Sequence, residues 1–521
     1  MALQRRLPIN VDRLALFAAL TDGGRRRDTF LLERTTGPSL LMDQAALRIE
    51  CTGQQVVLRP LTDSGERIME VVEDQLADHV VQRDEGSLRL MFPVLEAVDA
   101  RERLLAPSPF DVLRAVTRLS IKSPEEPFTL ACLGVIAYDH VDLFETLPPP
   151  AEDHLQFPDF LFWVPESLIV FDPGAKPRAV CTLFGSDDAA AAQRAYFGAS
   201  QRLAALVERC EAARRQALDA PAVATRIVED PDVDLPDPAY REVVMKMKDH
   251  INRGDIYQVV PSRTFRAPCA DPLRAFAALR RLDPSPYQFF AAGPEHLLFG
   301  CSPETAVRVF DDGGSQAVEI KPIAGTRKRG ATEDEDDRME AEMRLDQKET
   351  AEHMMLVDLA RNDVARVSLP GSRRVAKLMT VERYARVMHL VSSVIGKLRP
   401  GLDALHALQA GLNVGTLTGA PKIRAMELLR EYEQTKRGPY GGAIGWLNGE
   451  GHMDTGIVIR SAVVKDGTAF VRAGGGVVYD SEPQLEADES RRKASAVLSA
   501  LAAVNAEAKA GREPALTGEV Q

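Results

Sequence analysis

Apolar positions in the first two hundred residues recur in short alternating runs at 29–32, 46–51, 55–58 and 167–171, the period of strands with one buried face. Residues 188–218 turn rich in Ala, Arg and Glu and read as a helix. The stretch 220–238, with Asp230-Pro231-Asp232, reads as a linker, so a boundary is placed near residue 225 between regions 1–225 and 235–505. The second region opens on a helix predicted over 239–253 and stopped by Gly254. Residues 339–367 read as one long helix. Strand runs are predicted at 443–447, 456–464 and 468–472, the last two joined by Lys465-Asp466-Gly467. After Gly474-Gly475-Gly476, Pro483 opens a final helix to about 504, and 506–521 is expected to be a flexible tail. Strands and helices do not alternate regularly and nothing repeats, which favours a mixed α+β fold over a doubly wound parallel sheet.

Composition narrows the chemistry. A chain of 521 residues, 45% apolar and 27% charged, buries enough surface to fold without a disulfide or structural metal, so a metal is expected only for reactivity. The net charge of −12, with no long block of one sign, argues against nucleic acid as a partner; Arg25-Arg26-Arg27 reads as a solvated loop. Six cysteines, widely separated and in no CxxC pattern, suit a reducing compartment. The N-terminus lacks an apolar signal core and no stretch approaches 18 apolar residues, so a cytoplasmic chain without membrane spans is expected.

Helical spacing places Glu349 with Glu352, and Glu486 with Glu489 and Lys493, on single helix faces. Two readings stand open: solvated acidic faces, or opposed carboxylates that hold a hard cation such as Mg²⁺. Three segments expose backbone amides that suit a small anion or simply make tight turns, at 322–327, 415–421 and 473–477; Pro421 marks a helix start in the second. No phosphate-loop or dinucleotide fingerprint is present. Arg460 falls inside the predicted strand 456–464, where burial demands either a structural ion pair or an anionic ligand.

These segments fit together as one pattern. Over about residues 235–505 the chain resembles the chorismate-utilising enzyme family, through GDIYQVVPSR (254–263), DPSPYQFF (283–290), SPE (302–304), PIAGTRKRG (322–330), EHMMLVDLARND (352–363), MHLVS (388–392), GTLTGAPK (415–422), GPYGGAIG (438–445), IVIRS (457–461), AGGGVV (473–478) and EADES (486–490). Through FLLER (30–34) and GVIAYDHVDLFE (134–145) the first half is similar to the N-terminal region of anthranilate synthase component I chains. The resemblance implies two antiparallel sheets packed face to face with helices outside. It implies Mg²⁺ held by Glu352 and Glu489, with Glu349 and Glu486 close by. Chorismate would be bound by Thr326, Tyr440, Arg460 and the amides of Gly474, Gly475 and Gly476, with Gly325 in the same turn. Glu304 would be the general acid, with His389 and Thr416 lining the reacting ring.

Two positions divide the family's chemistries. Relatives that add water carry a Lys base where Gln258 stands, and Gln has no useful pKa; relatives with a covalent Lys carry it where Ala324 stands. Both substitutions imply the anthranilate branch: chorismate and ammonia converted to anthranilate and pyruvate through aminodeoxyisochorismate, as in the large subunit of an anthranilate synthase. No Gly-x-Cys-x-Gly elbow is present, so a separate glutamine amidotransferase is the expected partner and ammonia source. The competing expectations are an enzyme that stops at aminodeoxyisochorismate, a tryptophan-insensitive enzyme of a specialised pathway, and a non-catalytic binding subunit. The family's tryptophan-inhibitor positions match Arg34, Pro286, Tyr287 and Gln288, of which Arg34 and Gln288 depart from the usual Ser and Met.

Overall fold

The computed structural model of the protein describes residues 1–8, 11–94, 99–119, 126–149, 152–184, 188–226, 231–384 and 387–510; the side chains of Ala100, Thr326 and Lys348 lie outside the description.

Two long strands organise the fold. Ser39–Thr52 and Phe160–Phe171 pair antiparallel along their length, with register shifts between Leu41 and Leu47. Bulges bend a strand and strengthen its twist, so each strand leaves one sheet and enters another. The bulge also tolerates Pro165, opposite Ala45, where a regular ladder would lack a donor. Acids forced inside at this corner are satisfied locally. Asp43 accepts from Ser167 Oγ (2.7 Å) and Arg209 Nη1 (2.9 Å), and Glu166 from Thr62 Oγ1 (2.7 Å) and Ser64 Oγ (3.1 Å).

From the corner the first sheet runs through Thr29–Arg34, Tyr287–Ala292, Leu297–Ser302, Ser461–Lys465, Thr468–Gly474 and Ser262–Pro268. The second runs through Cys132–Ile136, Ala443–Leu447, Met453–Ile457, Thr305–Asp311, Gln316–Ile320 and Val387–Lys397, with Ile323–Lys328 beside the last. All these pairings are antiparallel. Phe30, Leu133, Trp163, Phe289 and Ile444 fill the space between the sheets. Pro272–Leu282 and Pro483–Lys509 cover the outer face of the first sheet, and Gln347–Val367 and Ala404–Gly411 that of the second. The α+β sandwich of antiparallel sheets with helices outside is therefore present.

Thr29–Arg34 pairs with Tyr287–Ala292, and Cys132–Ile136 with Ala443–Leu447, so regions 1–225 and 235–505 contribute to both sheets. The expected linker 220–238 includes the short strand Asp232–Val233; its residues 227–230, which include Asp230, lie outside the described residues.

Three expectations need correction. The helix read over 339–367 is two helices, Glu333–Leu345 and Gln347–Val367. Between them Asp346 is extended (φ −68°, ψ 108°) and its side chain accepts from Glu349 N at 3.1 Å, which restarts the helix. The final helix continues to Lys509 because its Ala-rich end remains helical, so residues 506–509 are not tail; 511–521 lie outside the described residues. The run 456–464 is not one strand. Met453–Ile457 belongs to the second sheet and Ser461–Lys465 to the first, and Arg460 sits in the crossing with φ +47°.

Candidate active site

Glu304 follows Ser302 and Pro303 in the turn between Leu297–Ser302 and Thr305–Asp311. Its side chain is buried, and Thr416 Oγ1 donates to Oε1 at 3.0 Å. Desolvation pushes its carboxyl up to about 8, against the opposing effects of the Thr416 hydrogen bond and the charges of Lys493 and Arg460. Such a group keeps its proton at neutral pH.

The carboxylates of two helices flank the glycine run 474–476. From Gln347–Val367, Glu352 Oε1 accepts from Gln258 Nε2 at 3.2 Å; a Cβ placed on Gly476 would lie 2.7 Å from that nitrogen and 3.8 Å from Glu352 Oε1. From the final helix, Glu486 lies against Gly475, where a Cβ would collide with Oε2. One turn on, Glu489 pairs with Lys493 at 2.7 Å, and Lys493 Nζ also donates to Gly474 O at 3.0 Å. Desolvation lowers the lysine's pKa, but Glu489 outweighs it and the net direction is up. Glycine at 475 and 476 thus leaves the room that both carboxylates and Gln258 occupy.

Glu349, one turn before Glu352 on the same helix, meets the turn at Gly325. Arg327 Nη1 donates to its Oε1 at 2.5 Å, while Oε2 is buried without a hydrogen-bond partner among the described residues. A Cβ at Gly325, whose φ of +68° already favours glycine, would lie 3.0 Å from that oxygen. His389 Nδ1 lies 3.2 Å from Gly325 O, the two strands being paired there. Burial lowers the imidazole's pKa, so it is neutral at neutral pH and, with Nδ1–H turned to the carbonyl, Nε2 is its basic nitrogen. The side chain of Thr326, in the same turn, lies outside the described residues.

Arg460 and His389 line a cavity of about 210 Å³ with Asp283, Pro303 and Tyr384. Of the two solutions open for Arg460, the structure displays the ion pair, Nη1 to Asp283 Oδ2 at 2.9 Å, with the arginine still about a quarter exposed. Tyr440 is buried, and its ring faces the Arg437 guanidinium at 5.8 Å. Arg34, Pro286 and Tyr287 line a separate cavity of about 680 Å³ that shares Pro286, Pro303 and Tyr384 with the first. There the Arg34 guanidinium lies 3.8 Å from the Tyr287 ring centroid and pairs with Asp454, whose Oδ1 accepts from Tyr287 Oη at 2.7 Å. Gln288, one residue on, turns to the other side of the strand, where its Oε1 accepts from Arg280 Nε at 3.2 Å.

Whether these residues suit a divalent cation follows from the donors. Glu349, Glu352, Glu486 and Glu489 offer only carboxylate oxygens, the donors Mg²⁺ prefers, and Glu349 keeps one unsatisfied oxygen. Arg327 and Lys493 hold two of the four, and among the described residues no three ligating side chains converge on one point. The donor set fits magnesium in kind.

Reading motifs alone passed over Arg437, Glu433 and Arg472. All three are buried, the two arginines around the Glu433 carboxylate, and only the Lys-Arg ahead of GPYGG marked one of them. It also missed why 134–145 accompanies the catalytic motifs. Asn413 Nδ2 donates to Tyr138 O (2.6 Å), Tyr138 Oη lies 3.1 Å from Thr418 Oγ1, and Asp139 accepts from Gly438 N (2.7 Å).

Residues 82–499 match the family model described as chorismate binding enzyme. The chain is 44% identical to anthranilate synthase component 1 of Vibrio cholerae, with 96% of each chain covered. It is 46% identical to the pyocyanine-specific anthranilate synthase component 1 of Pseudomonas aeruginosa, over 90% of this chain and 88% of that one. The crystal structure of anthranilate synthase component I from Streptococcus pneumoniae superposes with a TM-score of 0.69 at 31% identity, covering 89% of this chain and 93% of that one. Sequence identity and overall fold agree, and the chain belongs to the chorismate-binding enzyme family, alongside the component 1 chains of anthranilate synthase.

Proposed function

We propose that this enzyme converts chorismate and ammonia to anthranilate and pyruvate as the large subunit of an anthranilate synthase. The observation that carries the reading is the buried Glu304, protonated at neutral pH and oriented by Thr416. Ammonia adds at C2 of the ring as the 4-hydroxyl departs. Hydroxide is a poor leaving group, so Glu304 gives it a proton and water leaves, forming aminodeoxyisochorismate. Removal of the C2 proton, for which neutral His389 is the acceptor, and loss of pyruvate then give anthranilate. Gln258, tied to Glu352, offers no base to activate water, and Ala324 offers no nucleophile, which supports ammonia as the attacking group.

Glu352 and Glu489, with Glu349 and Glu486 beside them, would hold Mg²⁺, which when bound offsets the charge of a dicarboxylate as it leaves water. Arg460, Tyr440 and the amides of Gly474, Gly475 and Gly476, with Gly325 and Thr326 in the adjoining turn, would orient the substrate. A separate glutamine amidotransferase would supply the ammonia. The test is to incubate the purified chain with chorismate, Mg²⁺ and ammonium at alkaline pH. Anthranilate fluorescence with equimolar pyruvate is expected. Aminodeoxyisochorismate without pyruvate would move the assignment to the enzyme that stops one step earlier, and unconsumed chorismate would leave a binding subunit.

The same reading bears on regulation. Arg34 lies over Tyr287 and is neutralised by Asp454, so it fills space beside two of the positions matched to tryptophan binding. Turnover is therefore expected to be insensitive to tryptophan, and Arg34→Ser to lower the half-inhibiting tryptophan concentration by about tenfold or more, the effect of about 1.4 kcal/mol of binding. Inhibition titrations of parent and variant check this; full inhibition of the parent at micromolar tryptophan would refute it.

A further inference from the structure

Glu433, at the end of the helix Lys422–Glu433, is buried between two arginines. Its Oε1 accepts from Arg437 Nη2 at 2.6 Å and from Ser262 N and Oγ at 2.8 Å; its Oε2 accepts from Arg437 Nε at 2.9 Å and Arg472 Nη2 at 2.8 Å. Arg437 spends its other donors on backbone: Nη1 on Leu417 O at 2.6 Å, and Nη2 also on Val260 O at 2.7 Å. Its guanidinium lies over Tyr138 at 4.5 Å and faces Tyr440 at 5.8 Å.

Four of these groups adjoin a residue of the candidate site. Leu417 follows Thr416, Val260 lies two residues after Gln258, Arg472 two before Gly474, and Arg437 itself three before Tyr440. Four separate chain segments are therefore held together at one buried carboxylate. A guanidinium is suited to this because its rigid fork directs several N–H groups at fixed angles, which a lysine ammonium does not reproduce.

We infer that Arg437 is a positioning residue of this active site: through the Leu417 carbonyl it holds the segment from which Thr416 donates to Glu304. The inference rests on the reading of Glu304 as the acid. Its consequence is directional. Thr416 stabilises the ionised form of Glu304, so loosening that bond raises the carboxyl's pKa further and moves the alkaline limit of turnover to higher pH. Among the described residues, the other charged groups acting on Glu304 are Lys493 on the final helix and Arg460 in the sheet crossing. Lys321 and Asp363 line the small cavity on its far side, with Asp363 held by Lys422 at 2.9 Å. None of these is a partner of Arg437.

The experiment compares Arg437→Met, Arg437→Lys and Thr416→Val in kcat and KM for chorismate across pH 6–10, at constant free ammonia. Arg437→Met is expected to lose on the order of 10²-fold in kcat, the cost of a misplaced catalytic group, with a smaller change in KM. Its alkaline limb should move up in pH, in the direction given by Thr416→Val, and the double variant should move no further than either single one. Arg437→Lys keeps the charge beside Glu433 and preserves the fold even where Met does not; it should restore part of kcat and leave a smaller shift of the same sign. An unmoved limb in Arg437→Lys and Thr416→Val, or a lower melting temperature with unchanged kcat, overturns the inference. Failure of the underlying reading is distinguishable, because Glu304→Gln would then keep its turnover.

Discussion

Glu304→Gln is expected to lower turnover of chorismate with ammonium by about 10²–10⁴-fold, the usual contribution of a general acid, while chorismate still binds. Gln preserves shape and hydrogen-bonding capacity but carries no transferable proton. The pH profile adds a second readout. The Glu304 carboxyl, raised by burial to about 8, can donate a proton only below that value, so at constant free ammonia the parent's rate is expected to fall as pH rises through about 8. In the variant that limb disappears from the residual activity. The same shift links to stability. A carboxyl near 4.5 in the unfolded chain and near 8 in the folded one binds more protons when folded, so its contribution is full below 4.5 and lost as pH rises to about 8. Glu304→Gln is therefore expected to melt at a higher temperature than the parent at pH 9 and to lose that advantage at pH 5. Calorimetry at the two pH values checks the sign, and unchanged turnover in the variant removes the acid role.

Alanine at Glu352 or Glu489 is expected to abolish turnover or to raise the magnesium concentration for half-maximal rate by on the order of 10²-fold or more, since even groups that only orient metal ligands cost 10–100-fold in affinity. The carboxylates belong to helices far apart in sequence, and each has a second tie, Glu352 to Gln258 and Glu489 to Lys493. Removing Glu489 leaves the Lys493 ammonium beside the Gly474 carbonyl with its carboxylate gone, so chorismate affinity and metal affinity should change separately. Titration calorimetry with Mg²⁺, in the absence of substrate, measures the metal arm independently of rate. Variants that bind the ion as tightly as the parent would transfer the ligand role to other groups.

Much of the fold was legible because it is written locally. Pro421 and Pro483 mark helix starts, Gly254 a helix stop, and Lys465-Asp466-Gly467 a hairpin; each acts through its own backbone preference. The break at Asp346 was hidden because the flanking helices have continuous helical composition, and only the side chain turned back onto Glu349 N separates them. The corner strands were harder to read for another reason. Phe160–Phe171 is buried along its whole length because it faces the inter-sheet core and the helix layers in succession, which erases the period-two signal.

The same division holds at the site. From the sequence alone came the kinds of group present: carboxylates at helical spacing, amide-rich glycine turns, one acid after Ser-Pro, and no lysine at positions 258 or 324. The tertiary structure decided which of those groups meet and in what charge state. It gave Arg460 to Asp283, Arg34 to Tyr287 and Asp454, and Arg472 to Glu433, and it buried Glu304 deeply enough to retain its proton. Caps, turns and periods depend on residues a few positions apart. The contacts of Glu304 with Thr416 and of Arg460 with Asp283 join segments more than a hundred positions apart, and no local pattern encodes them.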